Sequence, residues 1–91
     1  MKVIWARAAR DDRRRITVWL AERNKAAAVR IARALLAAAD GLSVLPEKGR
    51  PGRAPGTREL SAVPPYVVIY EVDHSAGVVQ ILRIWHSAQD R

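Results

Sequence analysis

Residues 25–46 read Lys25-Ala26-Ala27-Ala28-Val29-Arg30-Ile31-Ala32-Arg33-Ala34-Leu35-Leu36-Ala37-Ala38-Ala39-Asp40-Gly41-Leu42-Ser43-Val44-Leu45-Pro46. Within them Ala28, Ile31, Leu35, Ala38, Leu42 and Leu45 recur at alternating steps of three and four. That is the period of an α-helix with one buried face, and it predicts a helix over 25–44. Leu45-Pro46 stops it, because proline disfavours helical backbone in the residue before it. Asn24 stands at the N-cap position, where a side-chain oxygen accepts an orphan amide of the first turn. Upstream, Ala8 to Arg23 predicts a second helix with an apolar stripe of Ala9, Ile16, Trp19 and Leu20. Asp11 and Asp12 are expected in its first turn, where acids suit the helix dipole. Arg13 falls where that stripe calls for an aliphatic residue. The connection between the helices is very short, so they should form an antiparallel hairpin. Lys2 to Ala6 reads as a short strand.

Beyond Pro46 the period changes from helical to two. Thr57–Ala62 is a short strand candidate and Pro64-Pro65 a turn. Tyr66–Asp73 is a strand with Tyr66, Val68, Tyr70 and Val72 on one face. Residues 74–77 are a hairpin loop. Val78–His86 is a strand apolar on both faces and therefore interior. The order β-α-α-β-β-β gives an α+β fold, a helical hairpin packed on a mostly antiparallel four-stranded sheet, with the first strand beside the last. Residues 1–91 are expected to form a single domain. Trp5, Trp19 and Trp85 are expected in the core, and His74 in solvent.

Half of the 91 residues are apolar, which excludes full disorder. The chain has no cysteine and two histidines, so neither a thiolate zinc site nor an imidazole-rich metal site is expected, and no cofactor is. No apolar run approaches the ~20 residues of a membrane span, and a cytoplasmic protein without a membrane partner is expected. The net charge is +7. Residues 1–33 carry ten cations against three anions, and residues 48–58 carry four cations and no anion. The second group lies in Pro46-Glu47-Lys48-Gly49-Arg50-Pro51-Gly52-Arg53-Ala54-Pro55-Gly56-Thr57-Arg58, a stretch stiffened and bent by glycine and proline. A linker needs no such density of arginine, so this loop is a candidate binding element. A partner bearing negative charge follows from the balance.

The residue types that can carry chemistry are few. Arg58 and Arg83 offer planar guanidinium forks suited to a phosphate. His86 can move a proton near neutral pH. Glu59 stands beside Arg58 as an ion-pair partner or a polar substitute. In an ideal strand residues 83 and 86 point to opposite sides, so their convergence requires a bulge or an early strand end.

Several stretches together resemble the RelE/ParE superfamily of bacterial toxins from type II toxin–antitoxin modules. They are Trp5-Ala6 with Ala9 and Asp11-Asp12, then Ile16 and Trp19-Leu20, then Leu42-Ser43-Val44-Leu45-Pro46. Next come Gly49-Arg50-Pro51-Gly52-Arg53, Pro55-Gly56-Thr57-Arg58-Glu59-Leu60 and Tyr66-Val67-Val68-Ile69-Tyr70. Val79-Gln80-Ile81-Leu82-Arg83-Ile84-Trp85-His86 with Gln89-Asp90 completes them. The resemblance implies a cytoplasmic toxin neutralised by a cognate antitoxin, an acidic segment that folds on binding, in a toxin–antitoxin hetero-oligomer. Two mechanisms are associated with the family. RelE-like members cut mRNA on the ribosome, which would make Arg58, Arg83 and His86 catalytic. ParE-like members poison DNA gyrase without catalysis. The end His86-Ser87-Ala88-Gln89-Asp90-Arg91, without tyrosine or phenylalanine, is similar to the ParE type. In either case Lys48, Arg50, Arg53, Arg58, Glu59 and Gln89 are the expected target- or antitoxin-binding residues. A non-toxic basic binding module is the third reading.

Overall fold

The computed structural model describes residues 1–87. In chain order the elements are β1 (Lys2–Trp5), α1 (Arg7–Ala21), α2 (Lys25–Gly41), β2 (Arg50–Pro51), β3 (Thr57–Val63), β4 (Tyr66–Asp73) and β5 (Val78–His86). The sheet order is β1-β5-β4-β3-β2. β1 runs parallel to β5, and every other neighbouring pair is antiparallel. The α+β class, the helical hairpin and the placement of the first strand beside the last are therefore as predicted. The strand count is not: a fifth strand, β2, lies inside the basic loop. It is two residues long and pairs Arg50 with Glu59 and Pro51 with Arg58. Its glycine and proline content masked it, and proline is tolerated there because β2 is a sheet edge.

Asn24 caps α2 as predicted, its side chain accepting the Ala27 amide at 3.0 Å. The helix ends at Gly41 rather than at residue 44. Leu42 still reaches the core, but Leu45 is 60% exposed, so the period of three and four outlasts the helix by one turn. α1 begins at Arg7, which moves Asp11 and Asp12 out of the first turn. Arg13 interrupts no packing. Its guanidinium lies 4.6 Å from the centroid of the Trp5 ring, and a long stem under a stacked charge does the work of an aliphatic residue.

The core lies between the hairpin and one face of the sheet. Ala9, Leu35, Ala39 and Leu42 come from the helices, and Leu60, Tyr66, Val68, Tyr70, Val79, Ile81 and Ile84 from the strands. Ile81 and Ile84 are three residues apart on one strand and yet share that face. The reason is a bulge. Ile69 pairs with Arg83 and Tyr70 with Ile81, which leaves Leu82 as the extra residue and reverses the alternation beyond it.

The same region contains the one buried acid of α1. β1 pairs with β5 only as far as Trp5 opposite Ile81, and the chain then turns away into α1. The Ile84 amide beyond that point has no strand to bond. The Asp12 carboxylate, 4% exposed, accepts it at 2.9 Å and so continues the ladder with a side chain. Arg83 donates to the same carboxylate twice, from Nε at 2.8 Å and Nη2 at 3.1 Å, and Arg15 donates from the helix itself.

Burial alone would raise the Asp12 pKa. The bonds from Arg83 and Ile84, with the charges of Arg83 and Arg15, outweigh it and hold the carboxyl below its ordinary value of 3.8. A carboxyl depressed in the folded state stabilises the fold above its unfolded pKa. That stabilisation is lost as pH falls through the folded pKa. Urea unfolding from about pH 5 to about pH 2 should therefore show a steeper acid loss for the wild type than for Asp12→Asn. Asp12→Ala should cost roughly 2–3 kcal/mol at neutral pH, because it strands both the Ile84 amide and Arg83. Parallel acid limbs for wild type and Asp12→Asn would contradict the assignment.

Candidate functional site

The basic loop is not a free tether. Tyr70, fully buried on β4, is its post. The phenol donates to the Pro46 carbonyl at 2.8 Å and accepts the Gly49 amide at 2.8 Å. Burial pushes the Tyr70 pKa up, which keeps the phenol protonated as a donor. Gly49 is required by space: a Cβ there would lie 2.7 Å from the Tyr70 hydroxyl and 2.8 Å from the Glu59 carbonyl oxygen. Arg58 is turned onto the loop, its Nη1 donating to the Gly49 carbonyl at 2.8 Å and, more weakly, to the Glu47 carbonyl at 3.4 Å. Arg50 bonds Glu59 at 3.1 Å, and Glu59 is 5% exposed. The partner of Glu59 across the strands is thus Arg50 rather than the adjacent Arg58. The loop tip closes through the Gly52 amide, which donates to the Thr57 carbonyl, and the Thr57 hydroxyl, which donates to the Ala54 carbonyl. His74 is exposed as expected, and its Nε2 lies 3.0 Å from Glu47, joining the β4–β5 hairpin to the start of the loop. Lys48 and Arg53 are exposed on the loop.

Arg58, Arg83 and His86 are not brought together. Arg58 and His86 project from the helix-facing side of the sheet, since Arg58 pairs with Tyr70 and His86 with Tyr66. Four residues along the strand and two strands across separate them, about 13 Å by about 10 Å. Arg83 faces the other side and curls round the edge of β5 to Asp12. The bulge at Leu82 lies before Arg83, so it does not align residues 83 and 86. Arg83 is also 5.6 Å from the Trp85 ring centroid. Gln89 lies outside the described residues.

His86 instead stands edge-on to Tyr66, with ring centroids 5.7 Å apart and planes at 88°. Both line a groove of about 830 Å³ between α1 and the end of the sheet. Ile16, Val18 and Trp19 form its apolar wall, and Asp11, Arg14, Arg15 and Glu22 its charged rim. Trp19 was expected in the core and is 53% exposed, with Arg23 stacked 3.8 Å above its ring. Sequence reasoning missed the groove because Trp19 was assigned to the buried stripe. Its position about a quarter turn from Ala9, Ile16 and Leu20, next to the equally apolar Val18, was the available signal. Among the described residues no group of three acidic, histidine or cysteine side chains is arranged to hold a metal, and no helix is long and apolar enough to cross a membrane.

A helical hairpin on a five-stranded sheet, with a basic loop pinned to its central strand and an apolar groove beside α1, is the α+β arrangement of the RelE/ParE toxins. Residues 3–91 match the family described as ParE toxin of type II toxin–antitoxin systems, parDE, and the chain belongs to that family as its toxin component. Toxin RelE2 of Caulobacter vibrioides is 41% identical over 88 residues, covering 97% of each chain. Toxin RelE1 of the same organism is 40% identical over 87 residues, covering 91% of this chain and 89% of the relative. Among solved structures, the chromosomal ParDE TA system from P. aeruginosa superposes with a TM-score of 0.82 at 24% identity, over 94% of this chain and 95% of the other. The toxin–antitoxin complex RelBE2 from Mycobacterium tuberculosis gives 0.72 at 28% identity, over 93% and 95%.

The loop's dependence on Tyr70 and Gly49 is measurable. Gly49→Ala should destabilise the protein by about 1–3 kcal/mol, as overpacking does. Tyr70→Phe should cost a similar amount by leaving the Pro46 carbonyl and Gly49 amide unsatisfied. Denaturant titration of both variants checks this, and a cost below about 0.5 kcal/mol for either would show the loop to be independent of the sheet.

Proposed function

We propose that this toxin stops growth by binding DNA gyrase through protein contacts, without catalysis, and that a cognate antitoxin neutralises it in the cytoplasm. The observation that carries the reading is the fate of the three groups a metal-free nuclease would need. Arg58 bonds loop carbonyls, Arg83 bonds Asp12, and His86 stands at the far end of the sheet beside Tyr66. A phosphate clamp requires cations that converge and are free to turn toward the substrate. The antitoxin assignment draws on the solved structures similar to this chain, one a ParDE system and the other a RelBE2 toxin–antitoxin complex. An acidic segment that orders on binding suits the exposed cations of the 48–58 loop.

A ribosome-dependent mRNA endonuclease is the second reading, favoured by the names of the Caulobacter relatives, RelE2 and RelE1. The two readings separate in one pair of assays. Purified toxin should inhibit gyrase supercoiling and leave ribosome-bound mRNA intact. Codon-positioned mRNA cuts that vanish in His86→Ala would sink the gyrase reading. The loop is tested with Lys48→Glu plus Arg53→Glu, because Arg50→Glu would set a carboxylate against buried Glu59. The double variant should bind antitoxin at least about tenfold more weakly at low salt and show a flatter salt dependence. Unchanged affinity would remove the loop from the interface.

A further inference from the structure

Twelve of the thirteen arginines fall among the described residues, and they divide sharply by what they touch. Arg13 and Arg23 stack on tryptophans, Arg15 and Arg83 hold Asp12, Arg50 holds Glu59, and Arg58 holds the loop. Arg53 is engaged as well. The side chains of the other five, Arg7, Arg10, Arg14, Arg30 and Arg33, have no ion pair, hydrogen bond or ring contact among the described residues. All five are exposed, and all five lie on the helical hairpin.

Their placement is periodic. Arg7, Arg10 and Arg14 fall within about 60° of one another around α1 at ~100° per residue, opposite the buried Ala9. Arg30 and Arg33 likewise lie on α2 away from the buried Ala28 and Leu35. The hairpin thus presents guanidinium groups on both helices on faces turned from their buried residues, with Arg14 also at the rim of the groove beside α1. Arg7 to Arg14 spans about 10 Å along the axis, or about three base-pair steps of a duplex at 3.4 Å each. The acids of the hairpin other than Asp12 are Asp11 on α1, Glu22 just after it and Asp40 on α2, and none forms an ion pair with these arginines.

We propose that the outer face of the α1–α2 hairpin binds the phosphate backbone of duplex DNA, without reading its sequence. Phosphate contact needs a row of exposed, unpaired cations and no apolar centre. A protein partner of ordinary affinity needs such a centre. Exposed apolar side chains, Val18 and Trp19 on α1 and Val29 and Leu36 on α2, lie beside the arginines on the same helices. The protein thereby has two cationic surfaces of different kinds: a pinned loop, and a free row on rigid helices. The inference needs neither gyrase nor antitoxin, so its failure would leave the proposed function standing, and the reverse holds too.

The test is fluorescence anisotropy of the full-length toxin with a labelled 20-bp duplex of random sequence, titrated at several salt concentrations. Five phosphate contacts give a slope of log K against log salt of about −4.5, so a fourfold rise in salt should weaken binding roughly 500-fold. Arg10→Gln with Arg14→Gln and Arg33→Gln should flatten the slope to about −1.8 while leaving the circular dichroism spectrum unchanged. The same three positions changed to lysine should retain most of the slope, because the charge is kept. Absence of binding at low salt, or an unchanged slope in the glutamine variant, would overturn the proposal. So would an equal loss in Lys48→Gln with Arg53→Gln, which would move the surface to the loop. Tighter binding to single-stranded RNA of the same length would overturn the assignment to duplex.

Discussion

The interaction on which the rest of this structure depends is the carboxylate of Asp12 at the open edge of β5. β1 stops opposite Ile81, three residues short of the Ile84 amide, and α1 begins where β1 ends. A buried amide without a partner is costly. Asp12 removes that cost from the helix side, and in doing so it fixes the position of α1 against the sheet. Its charge would itself be expensive to bury, and Arg83 supplies the compensation with two parallel donors. One residue therefore joins helix packing, strand pairing and the orientation of an arginine. The neighbouring groove inherits its geometry from that junction, because its walls are α1 and the end of the sheet.

A second constraint, smaller in scale, holds the basic loop. Tyr70 lies in the core and reaches out with its hydroxyl to both ends of the first turn of the loop. Gly49 permits that approach and Arg58 closes it from the other side. The two junctions have the same functional consequence. Each takes an arginine that looks chemically available in the sequence and commits it to protein carbonyls or a carboxylate. What is left for partners is charge on the loop, the apolar groove with Trp19, and the arginine row of the hairpin.

Most of the fold was legible in the sequence because periodicity and turn chemistry decide it. Leu35 and Leu42, Asn24, the two-residue alternation from Tyr66 to Val72, and Pro64-Pro65 each pointed to the observed element. Three things were not legible. The β2 strand is too short for periodicity and is built of residues that normally mark loops. The bulge at Leu82 follows from packing Ile81 and Ile84 on one face, which no local signal records. The pairing of Asp12 with Arg83 spans 71 positions of sequence. Read locally, Asp12 looked like a helix-dipole acid and Arg83 like a phosphate ligand. The basic loop was legible as a bent, cationic segment, whereas its attachment to Tyr70 was not, since tyrosine on a strand face reads as packing.

The central claim is that Asp12 and Arg83 form one structural unit rather than a helix acid and a catalytic cation. A double-mutant cycle of Asp12→Ala and Arg83→Ala, read by urea unfolding at neutral pH, tests it most directly. A single unit predicts a coupling of about 1.5–3 kcal/mol, with the double variant hardly less stable than Asp12→Ala alone. Losses that add to within about 0.5 kcal/mol would contradict it.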